Sequence, residues 1–203
     1  MSTRTAQFLS YLLHPLFTPV LGMVLMFSIF PYQFGWDLTE ITFKLVFVTT
    51  IVFPGLSAYL FLRMGLLTSL KMEEASERKY PFMVSFASFI LLGQFFWKLP
   101  LPVEFCIFAY GAAISSLIAL FCLPFAKISI HMLALGGIIG ALIAIAGQYF
   151  LNVIPVIIVL FLMAGFLGTA RLVLKAHKLN EIYIGFATGF LVEFFLISYV
   201  VIS

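Results

Sequence analysis

Three short stretches of this 203-residue chain carry side chains that could hold and cleave a phosphate ester. In the first stretch, Lys71 and Arg78 are seven positions apart, a spacing that returns a helix to nearly the same face. The planar guanidinium of arginine and the point charge of lysine suit one shared anion such as phosphate. The alternative is a solvated charged loop in which Glu74 pairs with Arg78.

The second stretch runs from Lys127 to His131 and opens an apolar run. It places the hydroxyl of Ser129 two positions before the imidazole of His131. At the beginning of a helix, these two groups could bind an anion and give it a proton. An interfacial histidine without a catalytic role is the alternative.

The third stretch contains Arg171, His177 and Glu181. His177 and Glu181 have the i,i+4 spacing that lets a carboxylate orient an imidazole on one helical face. Arg171 lies about 240° away from His177 on a continuous helix, so we expect a break between them. The alternative is a basic interfacial helix carrying Arg171, Lys175 and Lys178.

The three stretches lie between or at the ends of seven continuous apolar runs, which must therefore determine where they are placed. They cover residues 12–30, 41–63, 82–97, 103–124, 132–149, 151–169 and 182–202. Without two-residue alternation, such runs indicate membrane-spanning helices, which prolines would kink rather than abolish. The run 82–97 reaches only about 24 Å, so we expect it to be tilted, re-entrant or extended by its flanks. We predict an all-α, polytopic integral membrane bundle of six to seven transmembrane helices in one domain, 1–203.

The composition excludes most other classes of protein. Hydrophobic residues make up 64% of the chain and charged residues 9%, too few to coat a surface in water. Disorder, nucleic-acid binding and a secreted disulfide scaffold are therefore excluded, and membrane lipids are the expected surroundings. Cys106 and Cys122 would lie about 24 Å apart on a helix, so we interpret them as buried thiols.

If all seven runs cross the membrane, the three stretches lie at the same face, because two runs separate each stretch from the next. Of the 11 basic residues, nine lie at that face, and Lys44 and Lys98 lie at the other. The nine are Arg4, Arg63, Lys71, Arg78, Lys79, Lys127, Arg171, Lys175 and Lys178.

The order and internal spacing of the three stretches resemble the signature of the type 2 phosphatidic acid phosphatases, the superfamily that includes vanadium haloperoxidases. That signature reads Lys-x6-Arg-Pro, Pro-Ser-Gly-His and Ser-Arg-x5-His-x3-Asp. Here Ile128 and Ile130 replace its Pro and Gly, Ala170 replaces its Ser, and Glu181 replaces its Asp. The resemblance implies a phosphatase-like core at about 64–202. The positions that match it are Lys71, Arg78, Ser129, His131, Arg171 and His177.

The resemblance implies a lipid phosphate phosphatase that needs no metal or other cofactor. His177 would form a phosphohistidine, Glu181 would orient its ring, and His131 would protonate the leaving group. Lys71, Arg78, Ser129 and Arg171 would bind the phosphate oxygens. The substrate would be a lipid phosphomonoester or diphosphate.

Two other functions remain open from the sequence. One is a lipid-phosphate binding or transport protein with little or no turnover. The other is a structural membrane subunit, which predicts that the basic and imidazole groups do not cluster. The resemblance favours a bacterial inner-membrane protein with an outward-facing site, whereas the distribution of Lys and Arg favours a cytoplasmic site.

Two ionisable residues lie outside the three stretches. Glu193 would lie about 18 Å beyond Glu181 along a helix, where it is either functional or packed inside the bundle near Gln94 or Gln148. His14 precedes the first proline at the same face as the three stretches, where it could support the site or be only interfacial.

Overall fold

Helices form the framework of the part of the chain that the computed structural model describes, residues 1–30, 34–69 and 75–202. No strand occurs among these residues, and the predicted all-α membrane bundle is confirmed. Lys71, a predicted phosphate ligand, lies outside them. The helices of the described residues are α1 (Thr3–Leu12), α2 (Thr18–Ile29), α3 (Trp36–Arg63), α4 (Lys79–Phe96), α5 (Val103–Cys122), α6 (Ile130–Tyr149), α7 (Ile154–Val173) and α8 (Leu179–Ile202).

Six helices, α3 to α8, are long and apolar enough to cross a bilayer. This number agrees with the predicted six to seven. The run 82–97 is extended by its N-terminal flank, because α4 begins at Lys79 and contains 18 residues. Its length of about 27 Å approaches the thickness of the hydrocarbon core.

The first apolar run, 12–30, is divided, and the expectation of one kinked helix there was wrong. Pro15 has no N–H group and disfavours helical geometry at His14, so α1 ends at Leu12. The carbonyl oxygen of His14 instead accepts hydrogen bonds from the N–H groups of Phe17 and Thr18, at 2.8 and 3.2 Å. The following helix, α2, has only 12 residues.

The short helix α2 still carries the chain from one end of the bundle to the other. His14, just before it, has its ring centroid 5.6 Å from that of His131, at the start of α6. Phe30, just after it, has its ring centroid 5.3 Å from that of Tyr149, at the end of α6. The longer helices then alternate in direction, so the starts of α4, α6 and α8 lie at the end marked by His14.

Helices α6 and α8 approach each other closely through glycine. Gly136 and Gly140 on α6, and Gly185 and Gly189 on α8, have the four-residue spacing that lets membrane helices bring their backbones together. A Cβ atom on Gly136 would collide with the carbonyl oxygen of Phe186. This contact fixes the start of α8 against the start of α6, and the sequence spacing could have revealed it.

The middle of α3 changes its hydrogen-bonding pattern before a proline. Residues Val48–Val52 form a π-helical turn, and Pro54 follows as the second residue of the next α-helical segment. A proline inside a helix removes one backbone donor, and a π-turn is one way in which the helix adapts. The hydroxyl of Thr50 donates to the carbonyl oxygen of Val46, at 2.8 Å. The segment after this turn forms one wall of the site described next.

Candidate functional site

A cavity of about 400 Å³ lies at the end of the bundle where α4, α6 and α8 begin. Its polar wall contains four residues singled out from the sequence, Arg78, His131, Arg171 and His177. Arg78 ends the short turn before α4, His131 is in the first turn of α6, and Arg171 is in the last turn of α7. Arg78 and Arg171, which are 93 positions apart, therefore line the same cavity. This argues against the structural membrane subunit, the alternative that predicted no clustering of these groups.

The break that the sequence required between Arg171 and His177 is a helix C-cap. Helix α7 ends at Val173, and Lys175 adopts a left-handed conformation with φ of 52°. The N–H of Ala176 donates to the carbonyl oxygen of Arg171, and the N–H of Lys175 donates to that of Leu172. This pair of hydrogen bonds is a Schellman motif, which usually has glycine where Lys175 stands. The reversal places Arg171 and His177 at the same cavity.

His177 is held by two acceptors at one ring nitrogen. Its Nδ1 lies 2.9 Å from the carbonyl oxygen of Lys127 and 3.2 Å from Oε2 of Glu181. A carbonyl oxygen can only accept, so Nδ1 carries the proton and Nε2 keeps its lone pair. The i,i+4 contact predicted between His177 and Glu181 therefore forms, and it leaves Nε2 as the nucleophilic nitrogen.

Glu181 also fixes the start of α8. Its Oε2 accepts a hydrogen bond from the backbone N–H of Lys178, at 3.0 Å. Lys178 is the residue before the helix and Glu181 is its third residue, so this bond is the carboxylate half of a capping box. One carboxylate therefore stabilises a helix end and orients the ring of His177.

Burial, together with the positive charges of Arg171 and Arg78, lowers the pKa of His177 from its usual 6.5 to about 4. The hydrogen bonds to Glu181 and Lys127 oppose this shift without reversing it. His177 is therefore unprotonated at neutral pH. An unprotonated imidazole is the form that can attack phosphorus.

The two arginines make the cavity strongly positive. Burial lowers the pKa of Arg78, and repulsion from Arg171 lowers it further, whereas Glu181 raises it. Within the described residues, Nε of Arg171 is buried and has no hydrogen-bond partner. A bound anion would relieve the repulsion between the guanidinium groups and supply an acceptor for Arg171.

His131 is tied to the N-terminal helix. Its Nε2 lies 3.1 Å from the carbonyl oxygen of Ser10 in α1. Nε2 must donate to this carbonyl, so Nδ1 is the nitrogen that can exchange a proton with a bound molecule. Helix α1 thus contributes to the site by orienting a side chain of α6.

Ser129 does not reach the cavity. The residue is fully buried, and its Oγ has no hydrogen-bond partner among the described residues. Its backbone packs against α8: the N–H of Ser129 donates to the carbonyl oxygen of Glu181, and a Cβ atom on Gly185 would meet the carbonyl oxygen of Ser129 at 2.7 Å. Close packing between α6 and α8 therefore places Ser129 behind the site.

His14 is a cavity residue to which the sequence gave no definite role. It lines the hollow together with Pro15 and Leu16, in the turn between α1 and α2. Burial lowers its pKa, and the charge of Arg171 lowers it further. The available signal was its position before a proline at the same face as the three predicted stretches.

A second and smaller cavity, of about 100 Å³, lies deeper in the bundle. Glu193 lines it with the hydroxyl-bearing residues Ser88 and Ser115, and all three are buried. The expectation that Glu193 lies near Gln94 or Gln148 found no support. The side-chain amide of Gln94 donates to the hydroxyl of Tyr110, and that of Gln148 donates to the carbonyl oxygen of Ile197.

Glu193 packs instead against glycine backbone. A Cβ atom on Gly111 would collide with its carboxyl group, and one on Gly137 would lie 3.4 Å from its Cγ.

Across residues 1–30, 34–69 and 75–202, no three His, Cys, Asp or Glu side chains are grouped so that they could hold a metal ion. Comparisons with protein-family models, curated proteins and solved structures find no match to this chain.

Proposed function

We propose that the protein is a membrane-embedded phosphatase that hydrolyses a phosphomonoester or diphosphate of a lipid. The observation that carries the proposal is the shared cavity of Arg78, His131, Arg171 and His177. Two cations that bind phosphate, an unprotonated imidazole and a second imidazole are the groups that phosphoryl transfer through a phosphohistidine requires. The resemblance to type 2 phosphatidic acid phosphatases supports the same reaction.

In the first step, Nε2 of His177 attacks the phosphorus atom. The Nε2–P bond forms as the bond from phosphorus to the lipid oxygen breaks. The protonated form of His131 gives its Nδ1 proton to the leaving oxygen, while its Nε2 keeps its proton and donates it in a hydrogen bond to the carbonyl oxygen of Ser10. Glu181 stabilises the positive charge that develops on the ring of His177.

In the second step, water attacks the phosphohistidine. His131, now unprotonated at Nδ1, accepts a proton from the water as its oxygen bonds to phosphorus. The N–P bond breaks, inorganic phosphate leaves, and both imidazoles return to their starting states. Arg78 and Arg171 stabilise the phosphate oxygens through both steps.

The apolar walls of the cavity favour a lipid over a soluble substrate. Gly55, Ala58 and Phe61 of α3 form one wall, and Pro81 and Val84 of α4 form another. Helix α3 is also among the spans least buried by the rest of the protein. A lipid whose phosphate reaches the arginines can therefore keep its chains between these two helices and the bilayer.

Phosphate release from phosphatidate in detergent micelles, compared with release from p-nitrophenyl phosphate, tests this function. The wild type should release phosphate and prefer the lipid. His177→Ala should reduce the rate by at least about 10⁴-fold, because it removes the nucleophile. Lys98→Ala, which changes an exposed basic residue at the other end of the bundle, should have the wild-type rate.

Quenching with alkaline detergent, in which the N–P bond of phosphohistidine is stable, should trap label from ³²P-labelled substrate on the wild type and not on His177→Ala. Turnover by His177→Ala at the wild-type rate would exclude the covalent mechanism. A wild type that releases no phosphate from either substrate would exclude the enzyme.

The position of Ser129 favours one alternative, a lipid-phosphate binding protein without turnover. A hydroxyl that the family signature assigns to phosphate lies outside this cavity, so fewer groups remain to stabilise the transition state. This alternative predicts that the wild type binds phosphatidate in micelles, that Arg171→Ala weakens the binding, and that no phosphate is released.

We propose that the cavity lies at the cytoplasmic face of a bacterial inner membrane, because nine of the 11 basic residues are assigned to the cavity end of the bundle. The family resemblance favours the outer face instead. A reporter fused after Ser203 distinguishes the two, because the C-terminal helix α8 runs away from the cavity. Alkaline phosphatase activity of this fusion would support a cytoplasmic cavity, and its absence together with fluorescence of a green fluorescent protein fusion would contradict it.

A further inference from the structure

His14 has a side chain whose two nitrogens are distinguished by the backbone around it. The N–H of Leu16 lies 3.3 Å from Nδ1 of His14. A backbone N–H can only donate, so Nδ1 is the acceptor and must be unprotonated. The proton of the neutral ring is therefore on Nε2.

The ring of His14 is part of the cavity wall. It packs edge-to-face with the ring of His131, with centroids 5.6 Å apart and planes 81° apart. Arg171 is close enough to disfavour a positive charge on His14, and Arg78, His131 and His177 line the same hollow. A neutral donor fits among these groups better than a further positive charge.

The turn that holds His14 is built by the sequence around it. Pro15 ends the helical conformation, and the carbonyl oxygen of His14 accepts the N–H groups that start α2. The hydroxyl of Thr18 also donates to the carbonyl oxygen of Pro15, at 3.0 Å. These bonds fix the backbone on both sides of the ring, and the residue lines the cavity.

We infer that His14 is a further phosphate-binding residue, a neutral imidazole that donates its Nε2 proton to a phosphate oxygen. It supplies the uncharged donor that Ser129, buried behind the site, does not. A neutral histidine used as a hydrogen-bond donor is a known way to stabilise a developing oxyanion. The inference rests on the proposed phosphate site and adds a residue from the turn between α1 and α2.

Substitutions that keep or remove a donor at one ring position test this role. The amide nitrogen of glutamine reaches roughly the position of Nε2, whereas that of asparagine reaches the position of Nδ1. With orthovanadate as the probe, His14→Ala and His14→Asn should weaken binding about 10-fold to 100-fold, as expected for a lost hydrogen bond to a charged group. His14→Gln should bind within about 3-fold of the wild type.

The controls separate this inference from the proposed function. Tyr11→Ala changes an exposed side chain one turn earlier and should bind vanadate as the wild type does. Equal binding by the wild type, His14→Ala and His14→Asn would overturn the role of His14 and leave the phosphate site standing. A wild type that binds neither vanadate nor lipid phosphate would overturn both.

Catalysis by His14→Gln tests donation against proton transfer. A hydrogen-bond donor predicts that His14→Gln keeps the pH profile of kcat, with any loss appearing mainly in KM. A profile that loses its alkaline limb in His14→Gln would instead make His14 the general acid and overturn the inference.

Discussion

Two cavities among the described residues, one at the end of the bundle and one deeper inside, both contain buried ionisable groups, but the protein treats those groups differently. At the end of the bundle, His131 and His177 each donate one N–H to a backbone carbonyl, so one nitrogen per ring remains for a ligand. In the deeper cavity, Glu193 faces serine hydroxyls, and its Oε2 has no hydrogen-bond partner among the described residues. Orientation by the backbone, rather than burial alone, therefore distinguishes a site prepared for chemistry.

Substitution of Arg171 should give the largest difference in activity between variants of the two cavities. Arg171→Ala should lower kcat/KM for lipid phosphate by about 10²-fold to 10³-fold, because one donor to the transition state is lost. Arg171→Lys should recover little, since an ammonium cannot reproduce the planar fork. Glu193→Gln should stay within about 3-fold of the wild type, and an equal loss there would show that the two cavities form one site.

Loss of the Glu181 charge should have the next largest effect. Glu181→Gln keeps an oxygen near the N–H of Lys178 but removes the charge that stabilises the cationic ring of His177. We expect kcat to fall by about 10²-fold with little change in KM, less than the 10⁴-fold cost of the corresponding change in a serine protease triad. Steady-state kinetics on phosphatidate micelles measures both quantities, and an unchanged kcat would remove Glu181 from the mechanism.

The low pKa of His177 predicts a smaller effect, a decrease in the stability of the folded protein as the pH is lowered. Its folded-state pKa of about 4 lies below the 6.5 of an unfolded chain, so between these values the unfolded chain binds a proton that the folded protein does not. The free energy of unfolding therefore falls as the pH is lowered from about 6.5 to about 4. His177→Gln should show a shallower fall in Tm over this window, with His14 accounting for part of the remainder. Identical slopes would contradict the pKa.

Glu193 should give the smallest effect, of opposite sign. Glu193→Met replaces a buried carboxyl by an apolar side chain of similar volume and removes the cost of desolvating it. We expect Tm to rise by about 2–4 °C, which corresponds to ~1 kcal/mol for a protein of this length. A lower Tm in thermal unfolding by circular dichroism would show that the carboxyl holds a stabilising partner.

The sequence predicted those features that depend on chain length and helical periodicity. Six of the seven apolar runs correspond to helices that are long and apolar enough to cross a membrane, and the angle between Arg171 and His177 required the break now seen at Lys175. The i,i+4 spacing likewise predicted the contact between His177 and Glu181. Each of these follows from the geometry of a single helix or from the thickness of the bilayer.

The remaining features depend on contacts between helices, which periodicity does not encode. Ser129 has the spacing of a ligand, yet the packing of α6 on α8 turns it away from the cavity. His14 lies 117 residues from His131, and only the turn at Pro15 brings the two rings together. The division of the run 12–30 also resisted prediction, because a proline in an apolar stretch is compatible with either a kink or a break.

The double task of Glu181 limits how this position can evolve. Aspartate would preserve the charge but is one methylene shorter, so it would have to give up either the backbone of Lys178 or the ring of His177. Glutamine could still accept a hydrogen bond from the N–H of Lys178 but would remove the negative charge beside His177. Substitution at residue 181 is thus constrained by both contacts, and a descendant carrying aspartate would need another group to replace whichever contact it lost.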